Sequence, residues 1–128
     1  MQPETLRYRA THEWIEASGA ERRVGISSFA QEQLGDIVFV ELPTDLPRDV
    51  AAGDEVLVIE SCKATSSVYA PLAGRVTGVN QRLADHPERV NQDPTGEGWL
   101  FTLEVAPGAD ESELLDAEGY RRLCEAEG

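Results

Sequence analysis

Lysine is almost missing from this chain. Among its 128 residues there is one, Lys63, against ten arginines at positions 7, 9, 22, 23, 48, 75, 82, 89, 121 and 122. A general preference for arginine accounts for the bias but not for where the one lysine stands. The two residues carry the same surface charge, and only lysine offers a primary amine that can be acylated. Positive charge of any kind is scarce: 11 Lys and Arg stand against 24 Asp and Glu, a net charge of −13. That deficit excludes a phosphate-gripping face, so no nucleic acid is expected as a partner. It suits a protein that docks on basic surfaces of others. Long apolar runs are absent too. None approaches the roughly 20 residues a helix needs to span a bilayer, so no membrane is expected as a partner.

Cysteine and histidine are equally thin. The two cysteines, Cys62 and Cys124, lie far apart and form no CxxC pair. Reduced thiols are the expectation. His12 and His86 have no ligand spacing around them, so no metal site is expected. There is no nucleophile, base and orienter set and no glycine-rich phosphate loop, which argues against an enzyme. The start, MQPETLRYRA, lacks the apolar core of an export signal. A cytoplasmic bacterial protein is therefore expected, or one of the mitochondrial matrix if a transit peptide has been removed.

What is present is the length of one domain and a hydrophobic share of 41%, enough to build a core. Residues 7–26 read as short strands around a turn at Ser18-Gly19-Ala20. Residues 28–34 read as a helix. Ser28 and Gln31 fit a capping box, Gly35 fits a stop, and Phe29, Ala30 and Leu34 share one face. Residues 36–42 read as a strand covered on both faces, because the apolar run is continuous. Pro43 and Pro47 end it. Strands are expected at 56–61, 66–70 and 75–79, with a helical turn at 81–85 that stops before Pro87. Residues 99–105 alternate cleanly, with Trp99, Phe101, Leu103 and Val105 on one face. A helical pattern then runs from about 110 to 126. Asp110 and Glu113 cap it, and Leu114, Leu115, Tyr120 and Leu123 form its stripe. Its acids read as a solvated face or a docking face for basic partners. The whole is a mainly β domain, 1–128, of the sandwich or barrel type.

The runs 56–61 and 66–70 flank Cys62-Lys63-Ala64-Thr65 at hairpin spacing. Lys63 thus stands at an exposed tip among small neighbours. The segment VYAPLAGRV after it mirrors the first strand pair. A lysine held between two similar β halves is the layout of a swinging-arm carrier.

ESCKATS followed by VYAPLAGRV resembles the lipoyl-attachment segment of the glycine cleavage system H protein family. THEW at 11–14, VGIS at 24–27, AQEQLGDIVFVELP at 30–43, VNQDPTGEGWL at 90–100 and LLDAEGY at 114–120 resemble the same family in order and spacing. The likeness spans about residues 6–124. It implies a barrel-sandwich hybrid of the lipoyl/biotinyl-carrier kind, with a short helix in the first half and helices at the C-terminus. It implies lipoic acid in amide linkage to Lys63. It also implies four kinds of partner: glycine decarboxylase (the P protein), aminomethyltransferase (the T protein), dihydrolipoamide dehydrogenase (the L protein) and lipoylating enzymes. The carrier would shuttle the aminomethyl group of glycine and reducing equivalents among them. The protein would supply attachment and shelter, and the cofactor the sulfur chemistry. Tethering raises the effective concentration of the cofactor at each partner. A carrier that visits several partners is expected to be a monomer.

The resemblance also implies roles for single residues. Thr11 and Glu13 match residues that shelter the loaded arm in a cleft. Position 67, usually Asp or Glu in the family, also takes part there and is Ser67 here, one carboxylate fewer. Glu60 matches a residue that helps lipoylating enzymes recognise the hairpin, or is a solvated strand-end charge. His12 and Trp14 read either as packing or as cleft walls. Cys62 stands where an aliphatic residue is usual and Thr95 where an aromatic is common. Three other readings stay open. A lipoyl relay protein would pass lipoyl groups to 2-oxoacid dehydrogenase-type enzymes, and Ser67 keeps it in view. A biotin carrier fits poorly, because the only methionine is Met1. A thiol oxidoreductase would use Cys62.

Overall fold

The computed structural model of the protein describes residues 6–17 and 19–127. Two antiparallel sheets enclose the core. The larger has six strands, in the order β1 (Leu6–Tyr8), β2 (Glu13–Glu16), β3 (Glu21–Ile26), β9 (Phe101–Val105), β8 (Gly74–Val79) and β5 (Arg48–Val50), and the smaller three, in the order β4 (Ile37–Glu41), β6 (Glu55–Ser61) and β7 (Thr65–Tyr69). β1, β2 and β3 form a meander. Gly19 turns between the last two at φ +105; Ser18, part of the expected turn, lies outside the described residues. β9 carries Phe101 and Leu103 into the core with Val105 half-buried against it; Trp99, expected on that face, instead packs with the second cluster, and Leu100 takes the core position. Val24, Ile59, Val76, Leu100 and Phe101 are among the fully buried side chains that join the two sheets.

Helix α1 (Ser28–Leu34) is capped by Ser27, one residue before the expected cap. Ser27 Oγ accepts from the Ala30 amide at 3.1 Å and shares a bond with the Tyr120 hydroxyl. That second tie fixes Ser27 rather than Ser28 outside the helix. Gly35 ends the helix at φ +79, as its position predicts. Ala30 and Leu34 pack on the main core, though none of the helix is fully buried.

β4 (Ile37–Glu41) departs from expectation. It is not covered on both faces: Val38 is 56% and Phe39 47% exposed. The register slips between Ile37 and Phe39, because Ile37 opposes Ser61 while Phe39 opposes Glu60. A bulge of this kind places two successive side chains on one side. Ile37 and Val40 then take the inward positions.

β5 (Arg48–Val50) was not expected. It has no apolar alternation of its own and is defined by pairing with β8 (Gly74–Val79). Gln81–Ala84 form the helical turn, and a short α2 (Arg89–Gln92) follows Pro87. The C-terminal pattern is corrected as well. Among the described residues there is one helix there, α3 (Ala117–Glu127), not several starting near 110. Leu115 is held extended by two backbone bonds with Tyr8, at 2.8 and 2.7 Å, which excludes helix. Asp116 makes the cap instead, accepting from the Gly119 amide at 2.8 Å. Asp110 closes a local turn onto the Ser112 amide. α3 covers a second cluster of Leu6, Tyr8, Trp14 and Tyr120. No helix among the described residues is long and apolar enough to cross a membrane.

Candidate functional site: a hairpin lysine beside an acidic cleft

β6 (Glu55–Ser61) and β7 (Thr65–Tyr69) pair up to Glu60 opposite Thr65, leaving Ser61–Ala64 as the tip. Ser61 organises it. Its amide donates to the Ala64 carbonyl at 2.8 Å, and its hydroxyl oxygen accepts from the Lys63 and Ala64 amides at 3.2 and 3.0 Å. The Cys62 amide donates to the Asp36 carbonyl at 3.0 Å, which ties the tip to the entry of β4. The backbone under Lys63 is therefore fixed, while its exposed ammonium has no hydrogen bond or ion pair among the described residues.

Lys63 extends over Gly35. A Cβ there would lie 2.9 Å from Lys63 Cε, inside contact distance. Asn91 of α2 holds this glycine in place. Its Nδ2 donates to the Gly35 carbonyl and to Gln31 Oε1, both at 2.9 Å, and its Oδ1 accepts from the Ile37 amide at 2.8 Å. Neither residue was singled out for this role from sequence. Gly35 read only as a helix stop, and Asn91 has no local signal.

Behind the hairpin lies a cleft of about 240 Å³. The structure brings Thr11, Glu13 and Ser67 together in its wall, with His12, Phe29 and Ser66. Lys63 and Glu60 do not line it; Lys63 stands on the tip and Glu60 on the outer side of the sheet. Glu13 is 1% exposed. One of its carboxylate oxygens accepts from the Thr11 hydroxyl, and the other from the Tyr69 amide at 3.0 Å. Arg9 donates to Thr11 at 2.6 Å and stacks over the Tyr69 ring. Burial pushes the Glu13 carboxyl above the usual carboxylate range, and the Thr11, Tyr69 and Arg9 contacts pull it part of the way back.

Ser67 is not left alone. Its hydroxyl donates to a carboxylate oxygen of Glu55 on the neighbouring strand, so a carboxylate still stands beside position 67. His12 is a cleft wall. It sits in the left-handed region at φ +81, with Nδ1 2.7 Å from the Tyr120 hydroxyl and Nε2 2.9 Å from Glu127 Oε1. α3 is thereby clamped to the cleft rim. Burial holds the Tyr120 phenol well above its usual value. Trp14 is packing, fully buried with Nε1 donating to the Pro94 carbonyl at 3.0 Å. Cys62 is exposed and Cys124 half-buried, both as free thiols. Among the described residues no group of three or more His, Cys, Asp or Glu gathers to hold a metal ion.

The fold and site define a class: small two-sheet β proteins that present one lysine on a rigid hairpin above a cleft. The family described as "Glycine cleavage H-protein" matches residues 6–127, and the chain belongs to that family. A "Glycine cleavage system H protein" of Pseudoalteromonas atlantica is 56% identical over 127 residues, 98% of this chain and 97% of that one. Another, of Nocardia farcinica, is 52% identical over 124 residues, 93% of each. The crystal structure of a glycine cleavage system H protein from Mycobacterium marinum superposes with a TM-score of 0.84 at 38% identity, covering 94% of this chain and 97% of that chain.

Proposed function

We propose that this chain is the lipoyl carrier of a glycine cleavage system, loaded at Lys63 and working between a glycine decarboxylase, an aminomethyltransferase and a dihydrolipoamide dehydrogenase. The observation that carries the reading is the Lys63 side chain, unpaired among the described residues on a fixed tip and lying over Gly35, where there is room only because no Cβ is present. That cradle fits an acylated lysine arm leaving the surface. Lipoic acid in amide linkage to Nζ would supply a dithiolane, which accepts electrons and a group in one step. The chain's own part is to position and shelter. Acylation removes the ammonium charge, so the arm can lie against the protein at lower desolvation cost. Glu13 and Glu127 give the cleft acidic walls suited to an amine. Thr11 and the Tyr69 amide hold the Glu13 carboxyl pointing one way, which limits what it must reorganise to receive a cation.

The relay reading drew on a missing carboxylate at position 67. Glu55 accepts from the Ser67 hydroxyl but does not itself line the cleft, so the cleft still has one carboxylate fewer at that position and the relay reading keeps that support.

Intact mass of the protein from its native source tests the reading, beside Lys63→Arg. The expected result is a gain of one lipoyl group, lost completely in the variant, with glycine-dependent reduction lost as well. An unmodified chain, or one modified elsewhere, overturns it.

A further inference from the structure

The outer face of the small sheet carries an apolar centre that folding leaves open. Val38 and Phe39 are 56% and 47% exposed, the large hydrophobic side chains that the structure leaves in solvent. Exposed apolar surface rimmed by polar groups is a feature of contact sites. The charged side chains within this sheet are all acids. Glu60 opposes Phe39 across the ladder, and Glu41 follows two residues on, on the same face. Asp36 precedes β4 and binds the hairpin tip through its carbonyl. β4, β6 and β7 contain no arginine, lysine or histidine. Arg48, which borders Glu41 and Glu55, is already bound to Asp45 at 3.6 Å and to the Glu55 carbonyl at 3.0 Å. Among the described residues the Glu41 and Glu60 carboxylates have no cation and no hydrogen bond.

We infer that Val38 and Phe39, ringed by Asp36, Glu41 and Glu60, are the docking platform for the enzyme that acylates Lys63. The inference rests on the carrier reading above. Charge identifies the chemistry of the partner: an apolar pocket with a lysine or arginine rim. A second copy of this chain would bring acids against acids. Distance selects the partner. Glu60 lies three residues before Lys63, so at most about 10 Å separates their backbones. An enzyme that acylates the lysine must bring its reacting centre to Nζ, and so must cover the base of the hairpin. An enzyme that works at the far end of the acylated arm need not come so close.

The test uses the full unmodified chain as acceptor, with a lipoate–protein ligase, lipoate and ATP, and follows mass against acceptor concentration. Phe39→Ser should raise KM for the acceptor at least tenfold with kcat within twofold, since truncating an aromatic anchor is felt in binding. Val38→Ser should raise it several-fold. Glu104→Gln, an exposed acid on the other sheet, should change nothing. Thermal melts of the variants should match the parent, because both side chains are already exposed. An unchanged KM for Phe39→Ser overturns the platform and leaves the carrier reading standing. A concentration-dependent dimer lost in Phe39→Ser overturns it by assigning the face to self-association. A larger KM effect on glycine decarboxylase, using variant protein lipoylated to completion, overturns it by assigning the face to that enzyme. If the parent chain itself is never acylated at Lys63, the carrier reading fails first.

Discussion

In the six-stranded sheet the arginines are matched. Arg22, 8% exposed on β3, makes a two-pronged contact with Glu111 at 3.0 and 3.3 Å and also donates to the Gly19 carbonyl at 2.9 Å. Arg75 meets Asp49 at 3.0 Å, and Arg23 lies over Trp99 at 5.4 Å. In the three-stranded sheet there are no arginines to match, and among the described residues Glu41, Glu55 and Glu60 stand without a cation. The two sheets also differ in how they treat large apolar groups. Trp14 is sealed between β2 and α3, while Phe39 faces solvent. Exposed ion pairs contribute little to stability, about 0–1 kcal/mol each. The exposed pair Arg75–Asp49 therefore costs the fold little to have or to lose, whereas the buried Arg22 depends on its partners, and the strength of the large sheet lies mainly in its packing. The small sheet keeps unpaired acids and open apolar surface that do nothing for the fold. Such features are expected where contact with another molecule is the purpose.

The sharpest way to break this comparison is to exchange packing for space. Trp14→Ala removes a fully buried ring and its hydrogen bond to Pro94. The expected loss is about 3–5 kcal/mol, a fall in Tm of roughly 10–20 °C for a domain of this size. Differential scanning calorimetry reads it. A fall of only a degree or two would show that the second cluster under α3 is not a stability element, and the contrast with Phe39 would collapse.

Glu13 lies between the two sheets and mixes their characters, an acid that is buried and hydrogen-bonded but has no direct ion pair. Its carboxyl is raised above the ordinary 4.5 by burial. The folded chain therefore holds that proton more tightly than the unfolded chain does. As pH rises above 4.5, the contribution of this group to stability falls until the folded carboxyl has ionised. Glu13→Gln should accordingly raise Tm at neutral pH and leave it unchanged below about pH 4, where the acid is protonated in both states. The amide can keep both bonds, with Oε1 accepting from the Tyr69 amide and Nε2 donating to the Thr11 oxygen. Glycine-dependent turnover should fall several-fold in the same variant. A lower Tm at neutral pH would mean that the carboxylate is a structural partner after all.

Much of this was legible along the chain, and what was not has physical causes. Strand alternation exposed β9, and hairpin spacing exposed the tip at Lys63, because both depend on near neighbours. The bulge in β4 has no local signature. IVFV reads as a run to be buried on both faces, and only the register against β6 turns Val38 and Phe39 outward. The start of α3 failed for the same reason. Asp110 and Glu113 form an acceptable cap pattern, but the backbone bonds between Leu115 and Tyr8, over a hundred residues away, keep that segment extended. Thr11 and Glu13 were expected in a cleft through likeness of motif, and both line one. Glu55 beside Ser67, and Asn91 beneath Gly35, depend on contacts between strands and helices that no short motif encodes.

The smallest effect on stability belongs to the free acids. Glu41 and Glu60 are diagonal neighbours on the outer face, since Glu41 lies two residues beyond the partner of Glu60. Such positions are roughly 7–8 Å apart. Two like charges at that distance in water repel by about 0.6 kcal/mol, and by less in salt. Glu41→Gln should therefore leave stability unchanged or raise it by at most about 0.5 kcal/mol, which a urea midpoint resolves. The same change removes part of the attraction to a basic rim. KM for acylation of Lys63 should rise about threefold at low ionic strength and converge with the parent as salt is added, because screening removes from the parent what the substitution removes from the variant. Loss of stability on neutralising Glu41 would show a hidden partner for the acid, and the two sheets would then treat charge alike. An unchanged KM with unchanged stability would leave these carboxylates as plain solvated groups, and the apolar pair alone would have to account for docking.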